Sequence, residues 1–166
     1  MFVQGISKSK YKDKIRFIIV GKESSLSTII RSLAKQLDLE KNIVMLSGKP
    51  HNEAFEYVLS SDAVPLLKTI DSYGLSPIKF YEALAAGLPQ LVTDIPYINT
   101  IKELDYGVVL PVDKLNGDTV AAGIDEIIEN KEKYLKQREN IIDYAAQNHL
   151  WKNRIELLID TLTSIN

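Results

Sequence analysis

The sequence contains no cysteine. Disulfide scaffolds, thiolate metal sites and cysteine nucleophiles are therefore excluded. Histidine is nearly absent as well. His51 and His149 stand far apart in the chain, so a zinc centre built on imidazoles is not expected. Nor is there a basic excess. Lys and Arg total 20 against 22 Asp and Glu, a formal charge of −2. That balance argues against a general nucleic-acid binder and supplies no polybasic membrane anchor. No apolar run approaches the ~18 residues of a membrane span. Met1 to Ile6 is too short and too polar for a signal-peptide core, which makes the cytoplasm the expected compartment. There is no internal repeat, low-complexity segment or long linker.

What is present is the make-up of one soluble globular domain: 166 residues, 45% hydrophobic and 25% charged. Two periods alternate along it. Short apolar runs read as buried strands: Ile15 to Val20, Asn42 to Ser47, Ala63 to Leu67, Pro89 to Asp94 and Tyr106 to Pro111. Between them lie helical patterns. Ser24 to Leu39 places Leu26, Ile29, Ile30, Leu33 and Leu37 at helical spacing, with Ser24 or Ser25 as cap. Asn52 to Ser61 is expected to bury Phe55, Val58 and Leu59. Ser76-Pro77 opens a helix that runs to about Ala86 and stops at Gly87. Tyr97 to Leu104 is a short helix. Asn116 to Glu129, Lys131 to Gln147 and Trp151 to Ile165 are helical, and the last carries a stripe of Trp151, Ile155, Leu158, Ile159 and Leu162. Lys8, Lys10, Lys12 and Lys14 read as a solvated face.

Strands joined by helices of this length imply right-handed crossovers and a doubly wound parallel sheet. Ligands of such sheets bind outside the carboxyl ends of the strands. Four loops then matter: Gly21 to Ser25, Gly48 to Asn52, Lys68 to Ser76 and Asp94 to Tyr97. The segment Gly74 to Pro89 is the most informative. It carries a loop into a helix N-terminus, where free N–H groups and the dipole favour an anion. Lys79 adds a positive charge in the first turn. Glu82, on nearly the same face, suits two adjacent sugar hydroxyls as an acceptor. Ala83, Ala85, Ala86 and Gly87 are small and let the helix pack close to the sheet. The pattern suits a phosphorylated, hydroxyl-bearing ligand.

The string Pro77-Ile78-Lys79-Phe80-Tyr81-Glu82-Ala83-Leu84-Ala85-Ala86-Gly87-Leu88-Pro89 resembles the donor-binding C-terminal domain of GT-B glycosyltransferases, the family-4-like group. Val20-Gly21, Ser47-Gly48, Ser61-Asp62, Thr93-Asp94 and Gly107 to Pro111 continue the resemblance over roughly residues 15 to 160. It implies a Rossmann-like half of a GT-B fold with C-terminal helices. It implies that Glu82 holds the donor ribose and that Gly74, Leu75 and Ser76 offer backbone amides to the donor phosphates, with Lys79 assisting. Lys49 to His51 would lie by the nucleotide base, and Asp71 to Tyr73 near the transferred sugar. The Pro-x-Lys-x-x-Glu form resembles bacterial surface-polysaccharide transferases, whose partners would be a nucleoside-diphosphate sugar and an acceptor sugar or lipid-linked sugar.

The family pairs its glutamate with another eight residues earlier, and here that position is Gly74; Asp71 is the available replacement. Gln90 stands where the family usually has valine. The family's first strand and basic pair, and its acceptor-binding domain, would precede Met1, so the chain is expected to be a fragment or one half of a split enzyme. Any membrane association would come through that other domain. Metal-independent, retaining glycosyl transfer is what the resemblance implies, with no cofactor and with this chain alone inactive. Rival readings are a half that has lost the chemistry, a sugar-nucleotide epimerase of the same fold, and a receiver-like signalling domain. The last needs an acidic pair after its first strand, where Gly21-Lys22-Glu23 stands.

Overall fold

The computed structural model describes residues 1–68, 78–95 and 98–164. Its elements alternate as the periodicity requires. Helix α1 (Phe2–Lys8) precedes β1 (Phe17–Val20), α2 (Ser25–Gln36), β2 (Ile43–Leu46), α3 (His51–Leu59) and β3 (Val64–Leu66). Then come α4 (Ile78–Ala85), β4 (Gln90–Thr93), α5 (Asn99–Leu104) and β5 (Gly107–Leu110). Three helices close the chain: α6 (Gly117–Glu129), α7 (Lys131–Asn148) and α8 (Trp151–Thr163).

All described strand pairs are parallel. Phe17 to Val20 run beside Ile43 to Leu46, and β4 lies between β3 and β5, with Leu91 opposite both Pro65 and Val108. The strands fall into two hydrogen-bonded groups, β1–β2 and β3–β4–β5, where a single sheet was expected. Pro65 lies in the edge strand of the second group. Val64 donates its N–H toward β4, to the Pro89 carbonyl at 3.1 Å. The next nitrogen therefore faces away from β4, and it belongs to a proline with no hydrogen to give.

The core lies on the β4 side. Leu91 and Val92 of β4 pack with Phe80 and Leu84 of α4, Val108 of β5, Val120 and Ile124 of α6, and Tyr134 and Ile141 of α7. Gln90 is buried here, and its Nε2 donates to the Phe80 carbonyl at 3.0 Å. The amide thus ties β4 to the first turn of α4. Helix α4 ends in a six-to-one bond from Leu88 N–H to the Ala83 carbonyl and a second from Gly87 N–H to Leu84. Gly87 has φ +62°, the left-handed cap that a side chain disfavours. A Cβ there would also stand 2.7 Å from Cγ of Arg138. The small residues of α4 thus let it approach α7 as well as the sheet, while Ala85 faces solvent.

One other expectation needs correction. Phe55 and Val58 of α3 are only half-buried, and Leu59 is exposed, because among the described residues no second layer covers that helix on its outer side. On α2, Ile30 and Leu33 pack on the core but Leu26 and Ile29 are exposed. The amino-terminal lysines lie on a solvated face as expected, with Lys8, Lys10 and Lys14 exposed; there Lys8 pairs with Asp118 at 2.7 Å, Lys10 pairs with Glu129, and Lys12 donates to the Leu37 carbonyl. The pairs with Asp118 and Glu129 hold α1 and the turn after it onto α6, where Gly5 lets the two helices touch: a Cβ at Gly5 would lie 2.3 Å from Val120. The stripe on α8 forms a helix as expected, but Trp151, Ile155, Leu158, Ile159 and Leu162 all stay exposed.

Candidate functional site

The parallel strands set the geometry. Their carboxyl ends lead into the loops after Val20, Leu46, Leu66 and Thr93, the edge where such sheets bind ligands. Lys68 N–H donates to Oγ1 of the buried Thr93 at 2.8 Å, which joins the ends of β3 and β4. An open polar groove lined by Asp13, Arg16, Asp38 and Asn42 lies at the opposite, amino end of β1 and β2.

Glu82 is the centre of the arrangement. It sits in the second turn of α4, and its side chain is only 15% exposed. Lys79, one turn earlier, brings Nζ to 2.8 Å from Oε2. The other oxygen, Oε1, lies 2.9 Å from Nε2 of His51. Burial pushes the Glu82 carboxyl up, but the hydrogen bonds from Lys79 and His51 outweigh it and hold the group below its ordinary value. An ionised carboxylate accepts at about four lone-pair positions. Two are taken, so two remain for a pair of neighbouring hydroxyls.

His51 reaches Glu82 because β2 ends in a turn. Gly48 has φ +57°, and Pro50 caps α3 so that His51 is its first residue. The sequence pattern began this helix one residue later. The His51 ring lies parallel to Phe55, with centroids 6.4 Å apart. Lys49 pairs with Glu53 at 3.2 Å. Of the residues singled out from the sequence, the structure therefore unites Lys79, Glu82 and His51 and leaves Lys49 beside them in a separate pair. Asp71, Tyr73, Gly74, Leu75 and Ser76 lie outside the described residues, as do Pro77 and Tyr97.

The contact between His51 and Glu82 was not legible beforehand, since 31 residues separate them and no local spacing links a helix after β2 to one after β3. The other histidine serves a different purpose: His149 packs against the rings of Tyr81 and Tyr144. Among the described residues no group of three or more His, Asp or Glu could hold a metal ion, and no helix is long and apolar enough to cross a membrane.

Comparisons with known proteins bear on the family and the fold of the chain. A family model described as "Glycosyl transferases group 1" matches residues 2–148. An Aquifex aeolicus (strain VF5) UDP-N-acetylglucosamine–N-acetylmuramyl-(pentapeptide) pyrophosphoryl-undecaprenol N-acetylglucosamine transferase is 23% identical over 163 aligned residues, covering 84% of this chain and 47% of that protein. Among solved structures, WaaG, a glycosyltransferase involved in lipopolysaccharide biosynthesis, superposes with a TM-score of 0.74 at 20% identity, over 93% of this chain and 40% of its own. Anabaena HepE, crystallised in complex with UDP and glucose, gives 0.75 at 16% identity, over 98% of this chain and 44% of its own. The chain thus spans less than half the length of each of these relatives. At such identities the structures establish the fold, a Rossmann-like half of a GT-B architecture.

Proposed function

The chain belongs to the group 1 glycosyl transferases, and from that premise we propose that it is the half that binds a nucleoside-diphosphate sugar. One observation carries the reading: a mostly buried carboxylate, Glu82, stands at the ligand edge of the sheet with a cation on one oxygen and two acceptor positions left over. In this reading the ribose diol of the donor donates to Glu82. Lys79 and the backbone amides of Gly74, Leu75 and Ser76 meet the diphosphate, at the start of α4. Lys49 and His51 stand on the side of the base, and Asp71 and Tyr73 near the sugar.

The reaction is transfer of the glycosyl group from the diphosphate to an acceptor hydroxyl. Its main electrostatic demand is the charge that develops on the leaving diphosphate. Lys79 and helix N–H donors answer that demand directly, as in a metal-independent transferase. We assign acceptor positioning and the retaining outcome to a second domain, which relatives about twice as long have room for. This chain alone then binds nucleotide weakly and transfers nothing. The A. aeolicus relative and WaaG act in envelope polysaccharide synthesis by their names. They support an acceptor that is a sugar or lipid-linked sugar in bacterial surface polysaccharide assembly. The reaction would be cytoplasmic, with any membrane contact made by the other domain.

A thermal-shift panel with UDP, GDP, ADP and CDP at roughly 10 mM, without and with magnesium, tests the reading. A dissociation constant of about 1 mM adds roughly 1.4 kcal/mol, a rise of about 3–5 °C for a chain of this size. The expected result is a base-selective, magnesium-independent rise that Glu82→Ala abolishes. No rise with any of the four overturns the proposal and favours a half that has lost nucleotide binding.

A further inference from the structure

His51 was placed beside the base by its position after β2, yet its one polar contact among the described residues is with Glu82. Nε2 lies 2.9 Å from Oε1, and a carboxylate can only accept. The contact therefore holds when Nε2 carries the hydrogen. Lys79 alone, through Oε2, would fix one corner of the carboxylate and leave its plane free to turn. A second donor on Oε1, from a different helix, sets that plane. The imidazole is itself steadied by the parallel Phe55 ring one turn along α3. Exposure points the same way: the His51 side chain is 73% exposed and Glu82 only 15%, so the open residue braces the enclosed one.

We infer that His51 is a positioning residue for the donor ribose: it acts through Glu82, orienting the carboxylate toward the diol, and does not read the base. The inference rests on the donor-site reading above. His51 opens α3 at the surface, so its replacement leaves the fold intact. Two variants separate its possible roles. His51→Phe keeps a ring over Phe55 and removes the donor. His51→Gln removes the ring and keeps an N–H near the place of Nε2.

Titration calorimetry with UDP, GDP, ADP and CDP, and with their 2′-deoxy forms, reads the difference. His51→Phe is expected to weaken the preferred ribonucleotide about fivefold, the worth of one net hydrogen bond. His51→Gln should restore it to within about twofold, and the 2′-deoxy form, which keeps only the 3′-hydroxyl for Glu82, should lose less than the ribonucleotide in His51→Phe. Long-range proton–nitrogen spectra of the wild type should show His51 as the Nε2–H tautomer, and Glu82→Ala should relax that preference. An equal loss for the 2′-deoxy form identifies a base or phosphate contact and overturns the inference. So does an unchanged His51→Phe, a His51→Gln that fails to recover, or a wild-type Nδ1–H tautomer. Wild type that binds none of the four nucleotides overturns the donor-site reading itself, and the inference falls with it.

Discussion

At the scale of single residues, Glu82 and Tyr134 respond to pH in opposite directions. The Glu82 carboxyl is pushed up by burial but held below its ordinary value by Lys79 and His51. A depressed folded value means that its contribution to stability is present above the unfolded value and is lost as pH falls through the folded one. The same ionised oxygens are the proposed diol acceptors. Nucleotide-induced thermal shifts should therefore hold steady from neutral pH down into the ordinary carboxylate range and disappear below it. Tyr134 behaves conversely. Burial first, then the charges of Glu126 and Asp105, push its phenol up to about 12. Its contribution is complete below about 10 and lost as pH rises through about 12. Urea midpoints measured across that alkaline window should fall for the wild type and fall less for Tyr134→Phe.

At the scale of elements, α4 and α8 contrast. Both carry apolar stripes, but only α4 has a partner on each side. Leu84 is fully buried between β4 and α7, so Leu84→Ala should cost about 2–5 kcal/mol. Leu158 of α8 is 57% exposed, and Leu158→Ala should cost less than about 0.5 kcal/mol. Chemical denaturation of the two variants checks the pair. The stop signal of α4 is equally specific. Gly87→Ala forces a Cβ into a left-handed backbone and against Arg138 and Ile142. A loss of at least about 1–2 kcal/mol is expected from the backbone alone, visible in the same denaturation curves.

At the scale of the whole molecule, the packed mass lies around β4, and α8 stands outside it. Trp151, the only tryptophan, is 78% exposed in the folded chain. Its emission should already be that of hydrated indole and should move little through a urea transition that far-ultraviolet circular dichroism shows as cooperative. A blue-shifted native emission would mean that α8 is covered in solution. Among the described residues the apolar face of α8 stays open, and an amphipathic helix still encodes a surface to be buried.

The alternation of periods determined the α/β class, the order of elements and the stops at Gly21, Gly48 and Gly87, because strand and helix periodicity and glycine caps are local properties of a chain. The same local chemistry marked Lys79 and Glu82, one turn apart on one helix, as a cation and an acceptor acting together. Local pattern has no information about distance across the fold. It could not tell that the stripe of α8 stays open while that of α4 closes, since both have the same spacing and differ only in what packs on them. It could not tell that the strands divide into two hydrogen-bonded groups, β1–β2 and β3–β4–β5. Nor could it bring His51 to Glu82: that contact depends on where two helices from separate strands come to rest, and only the packed structure decided it.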